Sequence, residues 1–284
     1  MSNSTNKSNK LGAHYQEGRW IFRVFSTHEE LMLRLFPHVE GSEYREYPME
    51  KHGDLFVLEL EEDLFGYGYG FVHQGQFIVD PYTLYVSQGA RRGILLDPRR
   101  ADPVGFRAHR RPHLSYKDVV VYEHHLRDFS VDPQAKFRYP GKFKSLTESL
   151  RLKGFPIGTD YMASLGVTHV HLLPITPIMS LEGEEGYNWG YDPEYYFALH
   201  RGYLVEPQDP LKGIAEVKEA IMHLHGMGLG VVLDVVYNHT YYTKESSFEQ
   251  LAPGYYYRME GERFLNGSGV GNELATEKQY VRKL

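Results

Sequence analysis

The chain has 284 residues, 42% hydrophobic and 24% charged, with a formal net charge of −6. That balance supports one large folded core or two ordinary ones and excludes disordered and fibrous classes. Scattered lysines and arginines, with no basic stripe, argue against nucleic acid or an anionic membrane as partner, and the lack of cysteine excludes a disulfide scaffold and thiolate chemistry.

The opening MSNSTNKSNK lacks the apolar core of a secretory signal. Residues 1–12 read as a disordered tail, and the chain as cytoplasmic. No apolar run approaches the ~20 residues that span a bilayer. Residues 13–97 carry short apolar or alternating runs, RWIFRVF, LMLRLF, DLFVLEL and YGYGFVH, separated by Gly, Pro, Ser and charged clusters. This pattern predicts a small antiparallel β-sandwich. Residues 98–117, rich in Arg and Pro with little periodicity, read as a linker.

From residue 118 the pattern changes. DVVVYEHH (118–125) predicts a strand, residues 158–165 a helix, THVHLLP (168–174) a second strand, LKGIAEVKEAIMHLHGMG (211–228) a helix, and GVVLDVVYNHT (230–240) a third strand. The long helix is expected to bury Ile214, Val217, Ile221, Leu224 and Gly228 on one face. Apolar strands alternating with helices predict parallel strands buried on both faces. In such sheets the chemistry collects at the carboxyl ends of strands, and each strand here ends in polar residues. The first gives Glu123, His124, His125, Arg127 and Asp128; the third gives Asp234, Asn238 and His239.

The second strand leads into EGYNWGYDPEYYF (185–197), where Tyr187, Trp189, Tyr191, Tyr195 and Tyr196 surround Asn188 and Asp192. Its glycines and proline disfavour regular structure. Two readings fit: a buried turn filled with rings, or a pocket whose rings stack on the C–H faces of a sugar while the amide and carboxylate meet its hydroxyls. Asp234, a charge inside the run VVLDVV, must be paired or hydrogen-bonded, either as an internal brace or in a site. His239 at the rim of the sheet is either a satisfied structural residue or a ligand-facing one. His169 and His171 share one strand face; with no third ligand at telling spacing, a core strand is the simpler reading than a metal site. GYGYG (66–70) lacks the Lys and Ser/Thr of a phosphate loop, and no Gly-x-Ser-x-Gly elbow occurs.

YNWGYDP (187–193) and DVVYNHT (234–240), with YEHHLRDFS (122–130) and NGSGVGNELATE (266–277), resemble the type I pullulanases, the α-1,6-glucan debranching branch of the α-amylase superfamily of glycoside hydrolases. The resemblance implies a β-sandwich module of carbohydrate-binding type followed, over 118–284, by the first three βα units of a (β/α)8 barrel. The Trp-Ala-Pro expected on an early strand of that module stands here as Val24, Phe25, Ser26 and Thr27.

By this resemblance Tyr191 would stack on the glucose beside the scissile bond, with Tyr187 and Asn188 close by, and Trp189 and Asp192 would shape the loop. His239 would donate to the same glucose, Asp234 would hold an arginine beneath the nucleophile, and Asn238 would anchor the loop after the third strand. The implied partner is an α-glucan such as pullulan, glycogen or a limit dextrin. Cofactors are expected to be none; calcium is possible in the family but has no ligand cluster here. The family's retaining mechanism needs an Asp nucleophile and a Glu acid/base about 5 Å apart. Both follow later barrel strands, and a full barrel takes ~250 residues, so no catalytic residue is expected in this chain. The expectation is a pullulanase piece, truncated before the fourth strand and inactive alone; the alternative is a non-catalytic α-glucan-binding protein derived from a debranching enzyme.

Overall fold

The computed structural model describes residues 10–178 and 188–284. By their contacts the residues form two compact units: Met1–Leu96 with Tyr242–Gly267 and Asn272–Leu284, and Asp97–Tyr241 with Ser268–Gly271.

The first unit is built on two antiparallel sheets. One has the order β1 (Gly12–Gln16), β2 (Arg19–Phe25), β6 (Leu55–Leu60), β5 (Glu50–His52). The other runs β4 (Arg45–Pro48), β3 (Met32–Phe36), β7 (Gly68–His73), β8 (Gln76–Ile78), with β9 (Gly93–Ile94) paired to β7. Strict alternation in RWIFRVF turns Trp20, Phe22 and Val24 inward. They share a core with Leu33 and Leu35 of β3, Phe56 of β6, and Tyr69 and Phe71 of β7. Each such burial contributes about 1.5–3 kcal/mol. The core also holds Asp80, whose carboxylate accepts from the Tyr69 hydroxyl (2.9 Å) and the Tyr82 amide (2.9 Å). Burial raises its pKa to about 6, against the opposing pull of those two hydrogen bonds.

The boundaries drawn from sequence place 118–284 in one domain, and here the contacts differ. Residues 242–267 and 272–284, which include α3 (Ser247–Leu251) and the small hairpin β15 (Met259–Glu260) and β16 (Arg263–Phe264), belong to the first unit. The reason is aromatic packing. Leu251 enters the sandwich core, Tyr280 stacks on Phe25 at 4.0 Å, and Phe248 and Tyr256 meet Tyr82. The expected linker is likewise ordered. Pro98–Ala101 forms a 3-10 turn, and the ammonium of Lys218 reaches the Pro98 carbonyl and Asp102 (2.6 Å).

The second unit centres on a three-stranded parallel sheet, β10 (Val121–His124), β13 (His169–Leu172), β14 (Gly230–Leu233), in that spatial order. An antiparallel hairpin, β11 (Ser149–Leu152) and β12 (Phe155–Gly158), and α1 (Thr159–Ser164) lie between β10 and β13 in the chain. α2 (Pro210–Gly226) connects β13 to β14. Asp209 caps α2 by accepting from the Leu211 and Lys212 amides (both 3.1 Å), with Pro210 at the first helical position. α2 buries Gly213, Ile214, Val217, Ala220 and Leu224. Ile221 is only half-buried, and Gly228 lies exposed beyond the helix end, so the predicted stripe is displaced by about one residue toward Ala220.

The register aligns Val121, His169 and Gly230 across the sheet, then Glu123, His171 and Val232 two residues on. Val121 and Glu123 on β10, and Val232 and Leu233 on β14, are exposed. The strands were expected to be buried on both faces. Among the described residues only the middle strand β13 approaches that, because β10 and β14 each have a strand neighbour on one side alone.

Candidate functional site

The polar ends of the three parallel strands meet the loop that follows β13. That loop, from Asn188 to Pro193, is held by its own side chains. Asn188 closes an Asx-type turn by accepting from the Gly190 amide (2.8 Å). Its amide donates to both oxygens of Asp192 (3.1 and 3.0 Å). Gly190, between them, has φ of +96°, and a Cβ there would meet the Cβ and carbonyl of Pro174 at 3.1 Å. Only glycine accepts both the left-handed backbone and the close approach. Pro193 bridges Ile178, and its carbonyl accepts from the Tyr241 amide (2.9 Å), tying the loop to the segment after β14.

This clasp leaves two large rings facing solvent: Trp189 is 58% exposed and Tyr191 40%. The loop thus presents two adjacent large rings to water while its backbone is held by its own side chains. The Tyr191 hydroxyl donates to Asp234 Oδ2 at 2.6 Å. That hydrogen bond, reinforced by partial burial and the charges of Asp234 and Glu123, pushes the phenol up to about 12. Asp234 itself lies one residue past β14. Among the described residues the other side chain near this oxygen is His171, whose Nε2 is 3.7 Å away, and no lysine or arginine lies within ion-pair distance. The resemblance assigns Asp234 an arginine; in this structure a phenol and an imidazole stand beside it.

His239 is buried, and Tyr196 donates its hydroxyl to the His239 carbonyl (2.6 Å). The ring lies 3.1 Å from Asn238 Oδ1. Burial lowers the His239 pKa, opposed by a hydrogen bond to the Tyr191 backbone and the charge of Asp192. Asp192 responds in the opposite sense: burial raises it, while the Asn188 amide and His239 hold it down. Asn238 is exposed. Thus Asn188, Asp192, Tyr191, Asp234, His239 and Asn238 form one connected set, with Trp189 on the same loop. Tyr187 lies outside the described residues.

Two groups escaped the sequence reading. His171, weighed there only as a core or metal residue, stands between Glu123 (Nδ1 to Oε2, 3.3 Å) and Asp234. Its alternation with His169 on a strand bordered by Glu123 was the available signal. The second is His200, behind the strand ends and 4.6 Å from the ring of Tyr203, whose hydroxyl shares a hydrogen bond (2.9 Å) with His125, a residue already named at the end of the first strand. Burial lowers both imidazoles, His200 to about 4. Only tertiary contact joins residues so far apart in the chain. Among the described residues no three acidic or imidazole side chains converge as metal ligands.

No family model matches the chain. Curated relatives do. A pullulanase of Bacillus subtilis (strain 168) is 35% identical over 287 residues, covering 96% of this chain and 39% of the relative. Pullulanase 1, chloroplastic, of Arabidopsis thaliana is 30% identical over 249 residues, covering 72% of this chain and 25% of the relative. Among solved structures, a Paenibacillus barengoltzii pullulanase in complex with maltohexaose and α-cyclodextrin matches with a TM-score of 0.90 at 37% identity, covering 97% of this chain and 45% of that one. The pullulanase from Bacillus acidopullulyticus matches with a TM-score of 0.91 at 33% identity, covering 98% of this chain and 36% of that one. The chain therefore spans less than half the length of the relatives it matches. In sequence and in fold, over that length, the chain belongs to the pullulanase family.

Proposed function

We propose that these residues form the glucosyl-gripping wall of an α-1,6-glucan debranching hydrolase, and that the parallel sheet is the opening portion of a (β/α)8 barrel. The observation that carries the reading is the braced pair of exposed rings, Trp189 and Tyr191, the second hydrogen-bonded to Asp234 at the carboxyl end of a parallel strand. Solved relatives crystallised with maltohexaose, maltotetraose and maltotriose support an α-glucan as ligand.

In this reading the Tyr191 ring offers its face to the C–H face of a glucosyl unit. Its proton is committed to Asp234, so the phenol stays neutral and its orientation is set from behind. Trp189 extends the stacking surface, Asn188 and Asp192 keep the loop in shape, and His239 lines the same wall. Asn238 and Asp234 support it. Neither Asp192 nor Asp234 is left uncommitted, since each carboxylate is hydrogen-bonded to a neighbour. A retaining hydrolase needs a nucleophile and an acid about 5 Å apart across the scissile bond. On this reading the described residues supply recognition rather than bond cleavage.

The test is calorimetric titration of maltotriose into the 284-residue chain and a Tyr191→Ala variant, beside a reducing-end assay on pullulan. The wild-type chain should bind, and the variant should bind at least fivefold more weakly, the loss of about 1 kcal/mol of ring contact. Equal affinities would remove Tyr191 from the wall, and turnover of pullulan by the purified chain would refute the assignment of recognition alone.

A further inference from the structure

We propose that His171 is a positioning residue that clamps Glu123 and Asp234 together and so fixes the Tyr191 ring for glucan stacking. The inference deepens the glucan reading above and rests on it. Glu123, His171 and Asp234 come from, or directly follow, three adjacent parallel strands, β10, β13 and β14. The register places Glu123 opposite His171, and the chain turns off β14 so that the Asp234 carboxylate approaches the other side of the imidazole. Nδ1 is 3.3 Å from Glu123 Oε2 and Nε2 is 3.7 Å from Asp234 Oδ2. The atom that His171 approaches on Asp234 is the one that accepts the Tyr191 hydroxyl. A chain of contacts therefore runs from β10 through one imidazole to the exposed ring of the loop.

The arrangement is partly shielded. The His171 and Asp234 side chains are about one-quarter and one-fifth exposed, whereas Glu123 is open to water. Attraction between an imidazolium and two carboxylates is stronger in such a setting than at a fully exposed pair. A doubly protonated ring carries a positive charge and an N–H toward each carboxylate, so it attracts both; a neutral ring has one N–H and no net charge, so it holds at most one. The charged groups facing His171 are Glu123 from one side and Asp234 from the other, with the Tyr191 phenol behind Asp234 and His169 on its own strand face. Protonation should lock Asp234, and through it the tilt of Tyr191. His171 itself touches no substrate in this account.

Two measurements on the full chain test it. First, without ligand, the His171 ring signals in an NMR spectrum, assigned by their loss in His171→Gln, should move when Glu123→Gln or Asp234→Asn is introduced. Unmoved signals would overturn the clamp whatever the glucan result. Second, maltotriose affinity is followed from about pH 5.5 to about pH 8. The wild-type chain should bind about three- to tenfold more tightly at the acid end, the range of one hydrogen bond. His171→Gln, which keeps a donor but cannot be charged, should keep only the smaller pH dependence due to Asp192 and His239, and His171→Leu should bind weakly throughout. Asp192 and His239 titrate equally in all three proteins. Binding with the same pH profile in His171→Gln overturns this inference and leaves the glucan reading standing; no binding by the wild-type chain at any pH overturns both.

Discussion

His124 offers a quantitative test of how the second unit is held together. Its side chain is buried on the face of β10 opposite Glu123, level with Leu172 of β13, and its ring packs 4.7 Å from Phe129. Among the described residues neither ring nitrogen makes a well-formed hydrogen bond; the backbone of His125 is close enough to act on the ring, and it only partly offsets burial. Burial accordingly lowers the imidazole from 6.5 to about 4. Leaving a buried polar group unsatisfied costs roughly 1–3 kcal/mol, and leucine fills a similar volume with apolar atoms. His124→Leu should therefore be more stable than the wild-type chain by about 1–2 kcal/mol near pH 7.5. The sign of the pH dependence follows from the depressed value. Between 6.5 and about 4 the unfolded chain binds a proton at this position that the folded chain excludes, so wild-type stability falls as pH drops through that window. From about pH 7.5 to about pH 5 the loss from this one group is on the order of 2 kcal/mol. Urea unfolding followed by circular dichroism at both pH values measures it. Because His125, His200 and His239 titrate in both proteins, the widening gap between variant and wild type isolates His124. A gap that stays constant with pH, or a variant less stable than wild type, would refute the reasoning.

Gly190→Ala should destabilise the clasped loop by about 1–2 kcal/mol or more, since alanine at φ of +96° is strained and its Cβ meets Pro174; thermal melting together with maltotriose titration should show both a lower Tm and weaker binding. Asp80→Asn addresses the sandwich core. The folded-state pKa of Asp80 is raised to about 6, so its contribution is fully present below the unfolded value of 3.8 and lost as pH rises through about 6; the variant should flatten the decline in Tm between about pH 4 and about pH 7. Asp209→Ala removes the cap on α2 and should cost about 1 kcal/mol in urea unfolding, with an unchanged midpoint arguing that the Pro210 turn alone sets the helix start.

Much of this protein could be read from local pattern alone. Period-2 alternation in RWIFRVF and its neighbours specifies sandwich strands, because each strand has one core face and the alternation is a property of a few consecutive residues. The three parallel strands, the Asp-Pro start of α2 and the family motifs around Asn188 and Asp234 are equally local. Partnership was not. That 242–267 and 272–284 pack with the sandwich residues depends on Phe25 meeting Tyr280 and on Leu251 entering a core begun some two hundred residues earlier. His171 reads as one more polar residue on a strand until register sets it between Glu123 and Asp234. Composition and periodicity determine which face of an element is apolar, because that is decided by bond geometry over a few residues. Which side chain completes a carboxylate, and which ring is left facing water, is decided only when strands distant in the chain are brought about 4.8 Å apart.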